Sequence, residues 1–95
     1  MANQRNRVGN AFGVALRGAR LEAGLTQEQL AEMADFKPSY ISMLETADRQ
    51  PTITAIVAFE QALQLEPGEL TRRTVAGMKG KRLVQPHPKG ARKTR

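Results

Sequence analysis

The sequence predicts an all-α fold of five short helices. Apolar residues recur at helical spacing through the first three quarters of the chain. Capping residues and prolines stand where helices should begin, and glycine or polar runs stand where they should end. The two best-marked helices, within Thr26 to Glu45, are joined by only about three residues.

The first nine residues are polar and rich in Asn, Gln and Arg. They are expected to form an arm (1–9) that passes into helix 1 between Arg5 and Asn10. That helix should run to about Ala23, with Val8, Phe12, Ala15, Leu16 and Ala19 forming one apolar stripe. Gly13 and Gly18 inside it each cost up to roughly 1 kcal/mol against alanine, so tertiary packing must hold the helix. Gly24 ends it.

Thr26 is a good N-cap, and Gln29 three residues later completes a capping box. Leu25 and Leu30 have the spacing of a hydrophobic staple, and helix 2 is predicted from Gln27 to about Ala34. Asp35-Phe36-Lys37 breaks the pattern. Pro38 suits a first helical position and restarts it. Phe36 and Ile41 repeat the staple spacing at this second start. Helix 3 turns Ile41 and Leu44 to one face and Pro38, Ser39, Ser42 and Met43 to others.

A polar loop follows, ended by Pro51. Thr52 caps helix 4, predicted from Ile53 to about Gln64 with Ile53, Ile56, Val57, Phe59, Ala62 and Leu63 apolar. Pro67 opens a short helix 5 that should reach Ala76. From Gly77 onward Gly, Pro, Lys and Arg dominate and periodicity is lost. The expected organisation is an arm at 1–9, one domain at 10–76 with its paired helices at 26–46, and a basic disordered tail at 77–95.

Ninety-five residues make one small domain, and 40% apolar content allows a thin, mostly aliphatic core. Without cysteine, disulfide scaffolds and thiolate metal sites are excluded. No apolar run approaches a membrane span or a signal-peptide core, so the expectation is a soluble, cytoplasmic, nucleoid-associated protein with no membrane partner. The net charge of +6 is unevenly placed. Met1 to Leu70 carries six Lys/Arg against nine acids, whereas Thr71 to Arg95 carries nine Lys/Arg and no acid. A basic pI alone therefore says little about the folded part.

Enzyme chemistry finds no support. The single histidine, His87, lies between Pro86 and Pro88 with no partner at ligand or triad spacing. Glu28 and Glu32 share a helix face, but it is the exposed side of helix 2. There is no glycine-rich phosphate loop. No cofactor and no metal are expected.

Two helices of eight or nine residues joined by a tight turn match the helix-turn-helix unit of DNA-binding proteins. The chain resembles the phage-repressor and Cro-like family, often called XRE, over roughly Phe12 to Leu70. The residues that carry the resemblance are Leu16-Arg17, Arg20, Ala23-Gly24-Leu25-Thr26-Gln27, Leu30-Ala31, Tyr40-Ile41-Ser42, Leu44-Glu45, Pro51-Thr52 and Leu63. Pro38-Ser39-Tyr40-Ile41-Ser42 with Leu44-Glu45, followed by Arg49 and Pro51-Thr52, is also similar to the small controller proteins of restriction–modification systems.

The resemblance implies roles. Gln27 opens helix 2, where family members contact a phosphate or reach a base edge. Lys37, Pro38, Ser39, Ser42 and Met43 hold the groove-facing positions of the recognition helix, with Tyr40 beside them. Arg49 and Thr52 hold the DNA backbone, and Arg17 joins the same DNA-binding set. Arg20 and Glu45 match a buried, structural salt bridge. The chain departs from the family pattern at Asp35, where glycine is usual, and at Lys37, where a small capping residue is usual. Pro38 and Met43 stand where Arg or Gln is common and cannot donate to bases, so direct readout looks sparse.

These features predict a sequence-specific transcriptional regulator, a repressor with activation through a polymerase contact equally allowed, bound to double-stranded DNA as a homodimer on a pseudo-palindrome through helix 38–46. Leu63, Leu65, Leu70, Val75 and Met78 are the expected apolar surface for the twofold contact. The alternative is an antitoxin-like protein-interaction module that keeps the fold and engages a protein partner through its basic tail.

Overall fold

The computed structural model describes residues 4–79, 83–84 and 88. Five helices follow in order: α1 (Gln4–Glu22), α2 (Gln27–Ala34), α3 (Pro38–Glu45), α4 (Ile53–Ala62) and α5 (Glu69–Gly77). Helix α1 begins at Gln4, so residues 4–9 are helical where the sequence suggested an arm. Val8 and Gly9 are drawn into the fold: Val8 is half-buried and Gly9 is buried against the loop at Ala47 and Gln50. Gly77 closes α5, one residue past the expected domain end. Most of the expected tail at 77–95 lies outside the described residues.

The predicted signals act as physical chemistry requires. Thr26 Oγ1 accepts from Gln29 N at 3.0 Å and Gln29 Oε1 accepts from Thr26 N at 2.8 Å. Two N–H groups with no intrahelical partner are thereby satisfied. Asp35 takes the left-handed conformation (φ 62°) that ends α2 in place of glycine. Lys37 caps α3 without a side-chain hydrogen bond, and Pro38 opens it. Thr52 Oγ1 accepts from Ala55 N at 3.0 Å to start α4.

The core gathers Phe12, Leu16 and Ala19 of α1, Leu30 and Ala31 of α2, Ile41 and Leu44 of α3, Ala55 and Phe59 of α4, and Leu63 and Leu70. Leu63 and Leu70 therefore do not supply a twofold surface. Both side chains are spent inside, because α4 and α5 must bury them to close on α1. Val75, which is exposed, and the half-buried Met78 and Leu65 remain of the expected set. Ile53 and Val57, one turn apart on α4, are exposed apolar residues.

Gly13, a helix-weakening residue by propensity, has a packing reason. A Cβ there would lie 2.7 Å from the carbonyl oxygens of both Leu44 and Glu45. Its absence lets α1 close directly on the C-terminal end of α3. At the other side of α1, Arg73 of α5 reaches Glu22 at 3.1 Å and Glu69 at 2.7 Å. Glu60 completes the scaffold: its buried carboxylate accepts from Leu70 N at 3.0 Å, capping the first turn of α5 from across the core.

Candidate nucleic-acid interface

The interface is built on a buried brace. Arg20 Nε donates to Glu45 Oε2 at 2.7 Å and Arg20 Nη2 donates to Glu45 Oε1 at 3.0 Å, a two-pronged pair in which the side chains are 8% and 3% exposed. Arg20 Nη1 donates to Leu25 O at 2.8 Å. Gln27 Nε2 donates to Glu45 Oε1 at 3.0 Å. One ion pair thus ties α1 to the end of α3 and, through Leu25 and Gln27, holds both sides of the α2 N-cap. The bonds from Glu45 hold the Arg20 guanidinium above its ordinary pKa, against the opposing effect of burial.

With its inner side fixed, α3 presents an outer one. Ile41 and Leu44 are fully buried, while Lys37, Pro38 and Ser39 are exposed, and Ser42 and Met43 are half-buried. Tyr40 is half-buried because its ring packs on Phe36 with centroids 5.0 Å apart, and Phe36 in turn meets Phe59 at 5.4 Å. After α3 the chain folds back on itself: Asp48 N and Arg49 N both donate to Met43 O, at 2.8 and 3.2 Å. Thr46 Oγ1 donates to Asp48 Oδ2 at 3.0 Å. This leaves Arg49 and Thr52 exposed just beyond α3, at the start of α4. Arg17 is exposed on α1, one turn past the Gly13 contact with α3.

The site residues expected from the sequence therefore fall into two groups. Lys37, Pro38, Ser39, Arg49, Thr52 and Arg17 are exposed, whereas Gln27, Tyr40, Ser42 and Met43 are partly engaged by the fold. No local pattern marks the bond of Gln27 to Glu45; these residues are 18 apart and meet only once α2 and α3 have packed. Glu60 carried a readable signal. Its neighbours one turn away, Ile56 and Leu63, are apolar, so a lone carboxylate there needed an internal donor.

Electrostatically the folded part is balanced. Residues 4–79 contain nine Lys/Arg and nine Asp/Glu, so the whole net charge of +6 resides in 80–95. Among the described residues no helix is long and apolar enough to cross a membrane.

Two short helices braced at a tight turn, the second with a buried inner side and an exposed polar outer side, define a helix-turn-helix protein. The helix-turn-helix family model HTH_3 matches residues 16–70. The chain belongs to this family, and with it to the DNA-binding transcriptional regulators. It is 38% identical over 55 residues to the uncharacterized HTH-type transcriptional regulator y4dJ of Sinorhizobium fredii, covering 58% of this chain and 71% of that protein. Among solved structures it is similar to the clp gene regulator ClgR of Corynebacterium glutamicum, with TM-score 0.72 and 26% identity, covering 76% of this chain and 77% of that one. It is also similar to the restriction–modification controller protein C.AhdI of Aeromonas hydrophila, with TM-score 0.63 and 35% identity over 65% of this chain and 94% of that one.

Proposed function

We infer that the protein represses transcription by occupying a pseudo-palindromic operator as a homodimer in the cytoplasm, at the nucleoid. The observation that carries this reading is the two-sided character of α3, whose Ile41 and Leu44 are locked into the core while Lys37, Pro38 and Ser39 face outward. A helix so anchored can enter a major groove without disturbing the fold. Ser39 and Ser42 supply hydroxyls that donate to or accept from base edges, and Pro38 and Met43 offer apolar contact to thymine methyls. Lys37, Arg17, Arg49, Thr52 and Gln27 hold phosphates. Tyr40, its ring packed at a tilt on Phe36, contributes through its hydroxyl. The twofold contact draws on the exposed apolar residues Ile53 and Val57 of α4 and Val75 of α5.

Selection of bound duplexes from a random pool, with the mass of the complex measured alongside, tests this reading. The expected product is an inverted repeat whose half-sites lie about one helical turn, roughly 34 Å, apart, bound by two chains. Enrichment of a single half-site by one chain would remove the dimer, and enrichment of nothing would remove the operator.

The charge distribution favours one rival, an antitoxin-like module whose basic segment 80–95 engages an acidic protein. Salt dependence measured with and without the tail separates the two. An operator reader loses affinity with a slope of about −0.9 per phosphate neutralised. The rival binds duplex only through its tail, so truncation after Lys79 abolishes that binding.

A further inference from the structure

We propose that Glu45 is a positioning residue for DNA binding as well as half of an internal ion pair, because it fixes the polarity of the Gln27 side-chain amide. The inference rests on the reading of Gln27 as a phosphate contact.

A glutamine amide has two faces, an acceptor oxygen and a donor nitrogen, and on an open helix N-terminus it can present either. Gln27 is not free to choose. Its Nε2 lies 3.0 Å from Glu45 Oε1, and an ionised carboxylate only accepts. Turning the amide over would set Gln27 Oε1 against Glu45 Oε1, two acceptors at hydrogen-bond distance with no proton between them. Glu45 cannot move aside to relieve this. Its side chain is 3% exposed, and both of its oxygens are held by Arg20, at 2.7 and 3.0 Å. The same Arg20 donates to Leu25 O at 2.8 Å, which fixes the backbone entering the α2 cap.

One Nε2 proton is therefore committed to Glu45, and the second remains on the outer side of the α2 N-terminus. A phosphate oxygen also only accepts, so Gln27 in this polarity bridges two anions, with Glu45 within and a phosphate without. The helix N-terminus favours an anion at that place as well. Arg20 holds both oxygens of the buried carboxylate, so the lock persists while α2 and α3 stay packed. A glutamine without this partner would spend part of its time with its oxygen toward the phosphate, where it repels.

A double-mutant cycle on a duplex selected by the native chain tests the lock. Gln27→Met removes the amide without touching the ion pair. Glu45→Gln retains an acceptor for Arg20 but lets position 27 adopt either polarity. Gln27→Met in the native background is expected to cost about tenfold in affinity, as for a hydrogen bond to a charged group. The loss should be equal for every sequence offered, since phosphate contacts carry no base information. In the Glu45→Gln background the same substitution is expected to cost less than about twofold, because the amide is no longer aligned. Equal losses in both backgrounds would overturn the lock while leaving the phosphate contact standing. A changed base preference at one position with Gln27→Met would overturn the phosphate assignment. If the native chain retains no specific duplex, the underlying reading fails first. Should Glu45→Gln not fold, the side-chain amide protons of Gln27 in the native protein give the answer by NMR. The lock predicts that one is shifted by Glu45 before DNA is added and that the other alone moves on titration with duplex; movement of both together contradicts it.

Discussion

The two ends of α3 are built on opposite terms. At its C-terminal end, Leu44 is fully buried, Glu45 is bonded to Arg20 and Gln27, and α1 closes on the last carbonyls at Gly13. At its N-terminal end, Lys37 makes no cap bond, and Pro38 and Ser39 are exposed. Folding thus constrains the last turn and leaves the first open. That separation lets such a helix change what it reads without changing where it sits.

The largest test of the contrast is Glu45→Ala, which strands a buried guanidinium and should cost about 3–5 kcal/mol in urea unfolding. Gly13→Ala should follow at about 1–3 kcal/mol, since neither carbonyl it meets can yield without moving α1 from α3. Thr26→Ala, which removes the cap of α2, should cost about 1 kcal/mol in the same measurement. At the open end Ser39→Ala should fall within about 0.5 kcal/mol of the native chain in stability. On a selected duplex it should nonetheless shift preference at one base pair by about 1–3 kcal/mol.

The smallest effect concerns acid. The Arg73 hydrogen bond holds the Glu69 carboxyl below its usual pKa. A lowered folded-state pKa gives stability that is present above the usual carboxylate range and lost as pH falls through the folded value. Glu69→Gln should accordingly flatten a small part of the acid limb of a pH–stability profile and leave the neutral region almost unchanged. A steeper acid limb would reverse the sign.

What could be read from the sequence follows the same division. The helix order, the Thr26 and Thr52 caps, the left-handed stop at Asp35 and the opening at Pro38 were legible, because each is decided within one turn of chain. The Arg20–Glu45 pair was legible through the family resemblance. What stayed hidden depends on long-range packing: the Gln27–Glu45 bond, the close approach at Gly13, the donor that meets Glu60 and the burial of Leu63 and Leu70. An apolar residue on a short helix carries no mark of whether it meets its own core or a second copy, so Leu70 and Val75 could not be told apart before α5 was placed on α1. Helix α1 starts one residue before the expected interval of Arg5 to Asn10, and contact at Gly9 holds this polar segment against the loop at Ala47 and Gln50.

The most direct test of the account is the affinity of the native chain and of a Ser39→Ala/Ser42→Ala variant for a selected operator and for a scrambled duplex, with unfolding curves recorded in parallel. The native chain is expected to prefer its operator by about a thousandfold or more. In the variant most of that ratio should be lost while the unfolding midpoint stays in place. An unchanged ratio in a folded variant would contradict it, and would mean that the outer side of α3 does not read DNA.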